Sequence, residues 1–252
     1  MSTHITIHPD YEHLRQHIER IATEGARPDA RTVYKARNTV YAQTCDGTEL
    51  NIKAFRQPRF PNNYIYTHMR RSKARRSYEN ALHLLEIGID TPQPVAYIEN
   101  IAGGRLTTSY YISLQLDNCG DMRLWLENRE AQNALEPLAR FLHRLHHKGV
   151  WHKDFSPGNV LYRKDATAPG GFRFYLVDLN RMQFDVYDRD RQMRNLSAIY
   201  IESEAETGHF ARLYAEASGM APDDTAADAI HLYQKYLKKK NTIKKLKRLL
   251  KP

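Results

Sequence analysis

Apolar positions along the chain change period several times, and each change marks an element. Tyr11, Leu14, Ile18 and Ile21 recur at helical spacing and predict a helix from about Pro9 to Thr23. Runs rich in β-branched and aromatic residues follow. Thr32-Val33-Tyr34, Thr39-Val40-Tyr41-Ala42-Gln43-Thr44 and Leu50-Asn51-Ile52-Lys53-Ala54-Phe55 predict strands, the last two joined at Asp46-Gly47, a pair that accepts the positive φ of a tight hairpin turn. The helical period returns in Ala74, Tyr78, Ala81, Leu82 and Leu85 and stops at Gly88. After Pro92 and Pro94, Val95-Ala96-Tyr97-Ile98 and the run from Tyr110 to Leu116 complete an expected five-stranded antiparallel sheet. Farther on, Leu135, Leu138, Leu142 and Leu145 predict a helix that ends at Gly149. Asn159-Val160-Leu161-Tyr162 and the run from Phe172 to Val177 predict a hairpin looped through Ala168-Pro169-Gly170-Gly171.

A chain of 252 residues, 41% of them hydrophobic, buries a substantial core and divides naturally into two lobes. The expected organisation is α+β. Residues 1–117 form a small lobe with the sheet and one main helix, and residues 118–234 a mostly helical lobe, with the boundary near Asp117-Asn118-Cys119-Gly120. Residues 235–252 form a basic tail. No apolar run approaches the roughly 20 residues that span a bilayer, and Met1-Ser2-Thr3-His4 has neither a charged n-region nor an apolar h-region, so a cytoplasmic protein is expected. Cys45 and Cys119 have no paired spacing and read as reduced thiols.

The residues that carry chemistry lie in the second half. His152-Lys153-Asp154-Phe155-Ser156-Pro157-Gly158-Asn159 has the pattern HxDxxxxN, and Asp178 follows 19 residues after Asn159. Phosphoryl transfer asks a protein to set an acceptor hydroxyl beside a carboxylate and to hold one or two Mg²⁺ on the phosphates. Asp154 is the candidate base, and Asn159 with Asp178 the candidate metal ligands. His152 reads as a residue that pins the loop backbone. In the first half, Lys53 sits in a strand with the look of V-A-I-K, where an ammonium touches nucleotide phosphates. Glu79, on the border of the apolar face of the 74–88 helix, is its expected carboxylate partner, preferred to Glu86. Gln115 and Leu116 fall where backbone groups would meet adenine.

These stretches, together with Tyr34-Lys35-Ala36-Arg37-Asn38, Lys53-Ala54-Phe55, the run from Arg71 to Ala81 and Gly88-Ile89-Asp90-Thr91-Pro92-Gln93-Pro94, resemble the lipopolysaccharide kinase (Kdo/WaaP) family of bacterial kinase-fold enzymes. The resemblance covers residues 34 to about 181. It implies a bilobal protein-kinase-like fold and ATP-dependent phosphorylation of a hydroxyl on an inner-core sugar, Kdo or heptose, of lipopolysaccharide. It implies that Lys53 binds phosphates, that Glu79 orients it, that Asp154 is the base, and that Asn159 and Asp178 hold Mg²⁺.

Two departures stand beside the matches. Residues 31–46 contain no glycine, so Lys35, Arg37 and Asn38 are the candidates to replace a glycine-rich phosphate loop with side-chain contacts. Asp178-Leu179-Asn180-Arg181 replaces D-F-G and no A-P-E follows, which argues against a peptide-binding activation segment and for a small-molecule or glycolipid acceptor. The missing glycines leave a pseudokinase scaffold as the alternative, and a kinase-fold enzyme with another acceptor, small molecule or protein, as a third reading.

Charge is local. Nine Lys and Arg and no acid lie from Lys235 onward, so of the 38 basic residues 29 remain against the chain's 29 acids. Tyr236, Ile243, Leu246, Leu249 and Leu250 interleave with those lysines, the pattern of a helix lying on an anionic inner-membrane surface. A solvated helix is the plain alternative. A nucleic-acid partner is not expected, because aromatic recognition motifs are missing. A second acid-free block, with Arg56, Arg59, Arg70, Arg71, Lys73, Arg75 and Arg76, would suit acidic core sugars or phosphates of a lipid-linked saccharide.

Overall fold

The computed structural model describes residues 2–35, 38–55, 70–122, 133–199 and 203–249. The chain divides into two compact units, Met1–Asn118 with Leu176–Arg181, and Cys119–Tyr175 with Met182–Pro252. The short segment Leu176–Arg181, which lies within the 118–234 stretch of sequence, thus groups with the first unit.

The first unit is built on an antiparallel sheet of β1 (Ser2–Ile7), β2 (Arg31–Lys35), β3 (Thr39–Cys45), β4 (Thr48–Phe55), β5 (Pro94–Ala102) and β6 (Arg105–Leu114), in the order β1-β5-β6-β4-β3-β2. Asp46 and Gly47 take φ of 46° and 76°, the two positive values that a twist-matched two-residue hairpin turn requires. Six strands stand where five were expected. The extra one, β1, pairs with β5 from Ser2↔Ile101 to Ile7↔Ala96. Its alternation of His4 and Thr6 with Ile5 and Ile7 is a strand pattern, and it covers the outer edge of a nine-residue strand that would otherwise expose a row of unpaired backbone groups.

The sheet buries both faces with different partners. On one, Leu50 and Ile52 of β4, Ala96 and Ile98 of β5 and Ile112 of β6 pack against Leu14, Ile18, Ile21 and Ala22. These last residues come from a 3-10 turn, Pro9–Leu14, and the helix that follows it, α1 (Arg15–Glu24). The expected single helix therefore starts as a tighter turn, where Tyr11 leaves helical geometry. On the other face lies α2 (Lys73–Glu86), capped by Ser72, whose hydroxyl accepts from Arg75 N at 3.1 Å, and its Tyr78 ring stacks at a tilt on Tyr97 of β5, 5.4 Å between centroids.

In the second unit, α3 (Leu135–His147) ends at Gly149, whose φ of 67° only a residue without Cβ adopts cheaply. β8 (Trp151–His152) follows, then a 3-10 turn over Pro157–Asn159 and β9 (Val160–Lys164). β9 lies between β7 (Gly120–Asp121) and β10 (Phe172–Leu176), and β8 pairs with β11 (Met182–Gln183). Asn159, expected at the start of a strand, closes the 3-10 turn instead, because Pro157 fixes a helical φ at its first position. Three helices complete the unit: α4 (Arg189–Ala198), α5 (Glu204–Ser218) and α6 (Pro222–Leu249). The basic tail is the second half of α6.

Ile18 is fully buried between α1 and the sheet, so Ile18→Ala is expected to lower unfolding free energy by about 3 kcal/mol, transfer and cavity terms together. Urea denaturation of the two proteins checks it.

Candidate active site

Alternation along β4 sends Leu50 and Ile52 into the α1 core, so Asn51 and Lys53 project from the opposite face. Lys53 reaches Asp178. Its Nζ donates to Asp178 Oδ1 at 2.7 Å, with side chains 16% and 30% exposed, and lies 5.4 Å from the centre of the Phe55 ring. Asp178 holds a φ of 59°, in the left-handed region that Asp tolerates better than most residues but still at some cost in strain. Its neighbours hold it there. Asn180 Nδ2 donates to the same Oδ1 at 2.5 Å, Asn80 Nδ2 of α2 donates to Leu179 O at 2.7 Å, and Thr91 Oγ1 donates to Leu176 O at 2.7 Å. Leu176 N also donates to Asp90 O at 3.0 Å. The metal-binding candidate is thus tied, through its backbone, to the helix and loop that precede β5.

Glu79 requires a correction. Its carboxylate takes Arg71 Nη1 at 2.8 Å and Arg75 Nε at 2.9 Å, while the ammonium of Lys53 takes Asp178. The expected Lys53–Glu79 pair is not formed. Two guanidinium groups, one from the same helix at i−4, are nearer donors for Glu79 than a lysine reaching across from the sheet. Hydrogen bonding to Glu79 raises the Arg75 pKa further above its already high value. Lys35 ends β2 with an exposed side chain opposite Thr39. Arg37 lies outside the described residues. Gln115 N donates to Glu49 O at 2.9 Å, Gln115 Oε1 accepts from Asn51 Nδ2 at 2.7 Å, and Gln115 Nε2 donates to Leu116 O at 3.0 Å.

The second unit presents the Asp154 loop by itself. Asn159 Nδ2 and Ser156 N both donate to Asp154 O, at 2.8 and 2.7 Å, so the loop closes on its own carbonyl. His152 is fully buried, and its Nδ1 accepts from Asp154 N at 3.1 Å. Behind His152 runs a buried chain of polar groups. Asn195 Nδ2 of α4 must donate to the His152 carbonyl, at 2.8 Å, so Asn195 Oδ1 is an acceptor and His146 Nε2 carries the proton that meets it at 3.1 Å. His146 Nδ1 is then the acceptor for the Tyr214 hydroxyl at 2.9 Å. Burial lowers the His146 pKa from 6.5 to about 4, against the raising effect of Asn195, and burial raises Tyr214 to about 12. Both are neutral near pH 7. His146, Asn195 and Tyr214 are 49 and 68 residues apart in the pairs they form, and no spacing in the sequence marks them.

The donor set suits a hard cation. Each unit by itself carries one such donor: Asp178 has a carboxylate, and Asn159, whose Nδ2 donates to Asp154 O, keeps an amide oxygen. Oxygen ligands of this kind hold Mg²⁺ together with substrate phosphates. Among the described residues no helix is long and apolar enough to cross a membrane.

The model of the lipopolysaccharide kinase (Kdo/WaaP) family matches residues 28–236. No curated protein matches the chain. Among solved structures the chain is similar to WaaP in complex with acyl carrier protein, at 17% identity and a TM-score of 0.63, over 94% of this chain and 98% of that one. It is also similar to the complex of Rio2 kinase with ADP/Mg²⁺ and phosphoaspartate from Chaetomium thermophilum, at 18% identity and a TM-score of 0.51, over 91% and 76%. The fold is kinase-like.

Between pH 6.5 and about 4 the unfolded chain takes up a proton that buried His146 refuses. The contribution of His146 to stability is therefore complete above pH 6.5 and is lost as pH drops toward 4, by about 3 kcal/mol. Urea unfolding across this range is expected to reveal that slope, and His146→Gln to flatten it.

Proposed function

Since the chain belongs to the lipopolysaccharide kinase (Kdo/WaaP) family, we propose that it transfers the γ-phosphoryl group of ATP to a hydroxyl of an inner-core sugar, Kdo or heptose, of lipid-linked lipopolysaccharide. The observation that carries this reading is the 2.7 Å contact of Lys53 with Asp178, which joins a phosphate-binding cation to a metal-binding carboxylate on one face of the sheet. Asp154 accepts the proton of the sugar hydroxyl as its oxygen bonds to the γ-phosphorus. The bond from that phosphorus to the β,γ-bridging oxygen breaks, and ADP leaves with its electron pair. Lys53, with Lys35 and Arg37 from the glycine-free turn, neutralises the phosphates. Asn159 and Asp178 would hold Mg²⁺, which supplies further charge neutralisation there. Gln115 and Leu116 border the adenine.

Residues 1–117 are on this reading the nucleotide lobe, 118–234 the lobe of the catalytic loop, and 235–252 a membrane-facing tail. An anionic acceptor accounts for the charges at the start of α2. Arg71, Lys73, Arg75 and Arg76 gather where the helix dipole already places positive potential, and Glu79 pairs with Arg71 and Arg75. Phosphate or carboxylate groups of core sugars would be drawn to this positive end.

The tail has its own support. Buried positions of α6 run through Thr225, Ala226, Ala229 and Tyr233, and beyond them Lys235, Tyr236, Lys238, Lys239 and Ile243 are exposed. A basic, aromatic-bearing strip of this kind gains about 1 kcal/mol per lysine near an anionic leaflet. We assign it to the cytoplasmic face of the inner membrane, where lipid-linked saccharide and ATP meet.

With radiolabelled ATP, Mg²⁺ and lipopolysaccharide cores, label is expected on the saccharide. Asp154→Asn should lower the rate by 10²–10⁴-fold with nucleotide binding retained, and Asp178→Ala should abolish transfer. Nucleotide binding with no transfer to any core would displace the sugar-kinase reading. Truncation before Lys235, which leaves the buried stretch of α6 in place, is expected to spare turnover of delipidated core and to cut sedimentation with anionic vesicles several-fold. Unchanged sedimentation would dismiss the tail contact.

A further inference from the structure

We infer that Asn51 is a base-reading residue, whose Oδ1 accepts a hydrogen bond from the exocyclic amino group of adenine and disfavours a purine carrying a carbonyl at that position, with Gln115 as the positioning residue that fixes its orientation. The inference rests on the nucleotide-binding reading above and deepens it.

Placement comes first. Asn51 shares its sheet face with Lys53, two residues farther along β4, because Leu50 and Ile52 between and before them belong to the α1 core. Two residues of strand span about 7 Å, the reach of a ribose between a base and its first phosphate. Lys53 and Asp178 mark the phosphate end. Asn51 then stands at the base end, beside the segment that follows β6. On the same face its cross-strand neighbours are Ala42 and Ser113, both small, so the long polar side chain there is Asn51.

Polarity comes second, and it leaves no choice. Leu116 O is a backbone carbonyl and can only accept, so the Gln115 group facing it at 3.0 Å is Nε2. Gln115 Oε1 is then the atom that faces Asn51, and it too can only accept. The Asn51 atom 2.7 Å from it is therefore Nδ2. Asn51 Oδ1 is left as the outward acceptor. A backbone oxygen that cannot invert thus dictates, through two amides, the sign of the group offered to a ligand. An amino group at C6 of a purine matches that acceptor, whereas a carbonyl oxygen meets it lone pair to lone pair. A site built to hydrogen-bond one group rejects the analogue lacking it more sharply than any apolar pocket does. Asn51 is half-buried, so the contact is partly shielded from water yet open to a ligand.

The test uses the full chain with Mg²⁺ and measures displacement of a ribose-labelled fluorescent ADP by ADP and by inosine diphosphate, which replaces the C6 amino group with a carbonyl and puts a proton on N1; the Asn51 and Gln115 variants isolate the C6 contact. The wild-type protein is expected to bind ADP at least about tenfold more tightly. Asn51→Leu and Gln115→Leu should each bring the ratio to within about threefold, mainly by weakening ADP. Melting temperatures should stay close to wild type. A merely structural amide pair would move the melting temperature and leave the ratio alone. Equal binding of the two diphosphates by the wild type, or an unchanged ratio in both folded variants, overturns the inference while the nucleotide reading stands. Failure of the wild type to bind either diphosphate overturns both.

Discussion

Lys53 and Asp178 are 125 residues apart in sequence and 2.7 Å apart in space, and much of the first unit serves to keep them so. Two charges that close attract strongly only if neither swings away into water. Lys53 is fixed by its place in β4, paired on both sides by β3 and β6. Asp178 has no such support from regular structure, and its left-handed backbone would relax if it were free. The side chains of Asn80 and Thr91 donate to the carbonyls of Leu179 and Leu176, and Leu176 N donates to Asp90 O, which fixes the segment on either side of it. The strained conformation is over-determined by its surroundings, the condition under which such strain persists.

The acidic partners are distributed differently from the expectation, and the reason is charge. A carboxylate near the start of α2 sits among Arg71 and Arg75, which bracket it with short hydrogen bonds. Glu79 is thereby spent on Arg71 and Arg75, and the lysine of the sheet pairs with Asp178. The same logic applies where glycines are missing between β2 and β3. No glycine lies there, and Lys35 ends β2 with an exposed side chain.

In the second unit the support is uncharged. Tyr214, His146 and Asn195 donate in sequence to one another and finally to the carbonyl of His152, and both ring nitrogens of His146 are used. Such a buried network resists rotation of its members, because one that turns away leaves groups unpaired in a medium without water. A charged histidine would break this arrangement by turning its acceptor nitrogen into a donor, which is why burial and the direction of the hydrogen bonds act together to keep His146 neutral.

The strands β2 to β6, the helix α2, the hairpin turn at Asp46-Gly47 and the loop from His152 to Asn159 were legible in the chain itself, because hydrophobic period, turn chemistry and motif spacing are local properties. The kinase-like character was legible for the same reason. Local pattern did not reveal β1, since six residues of modest alternation become a strand only when β5 offers an edge. It could not choose between partners for Glu79 and Lys53, since that choice depends on which opposite charges come nearest after folding. Nor could it find Asn195, His146 and Tyr214, or the direction of the Asn51–Gln115 amide pair. Hydrogen-bond polarity is set by what each group meets in three dimensions, and the residues that meet there are dozens of positions apart in the sequence.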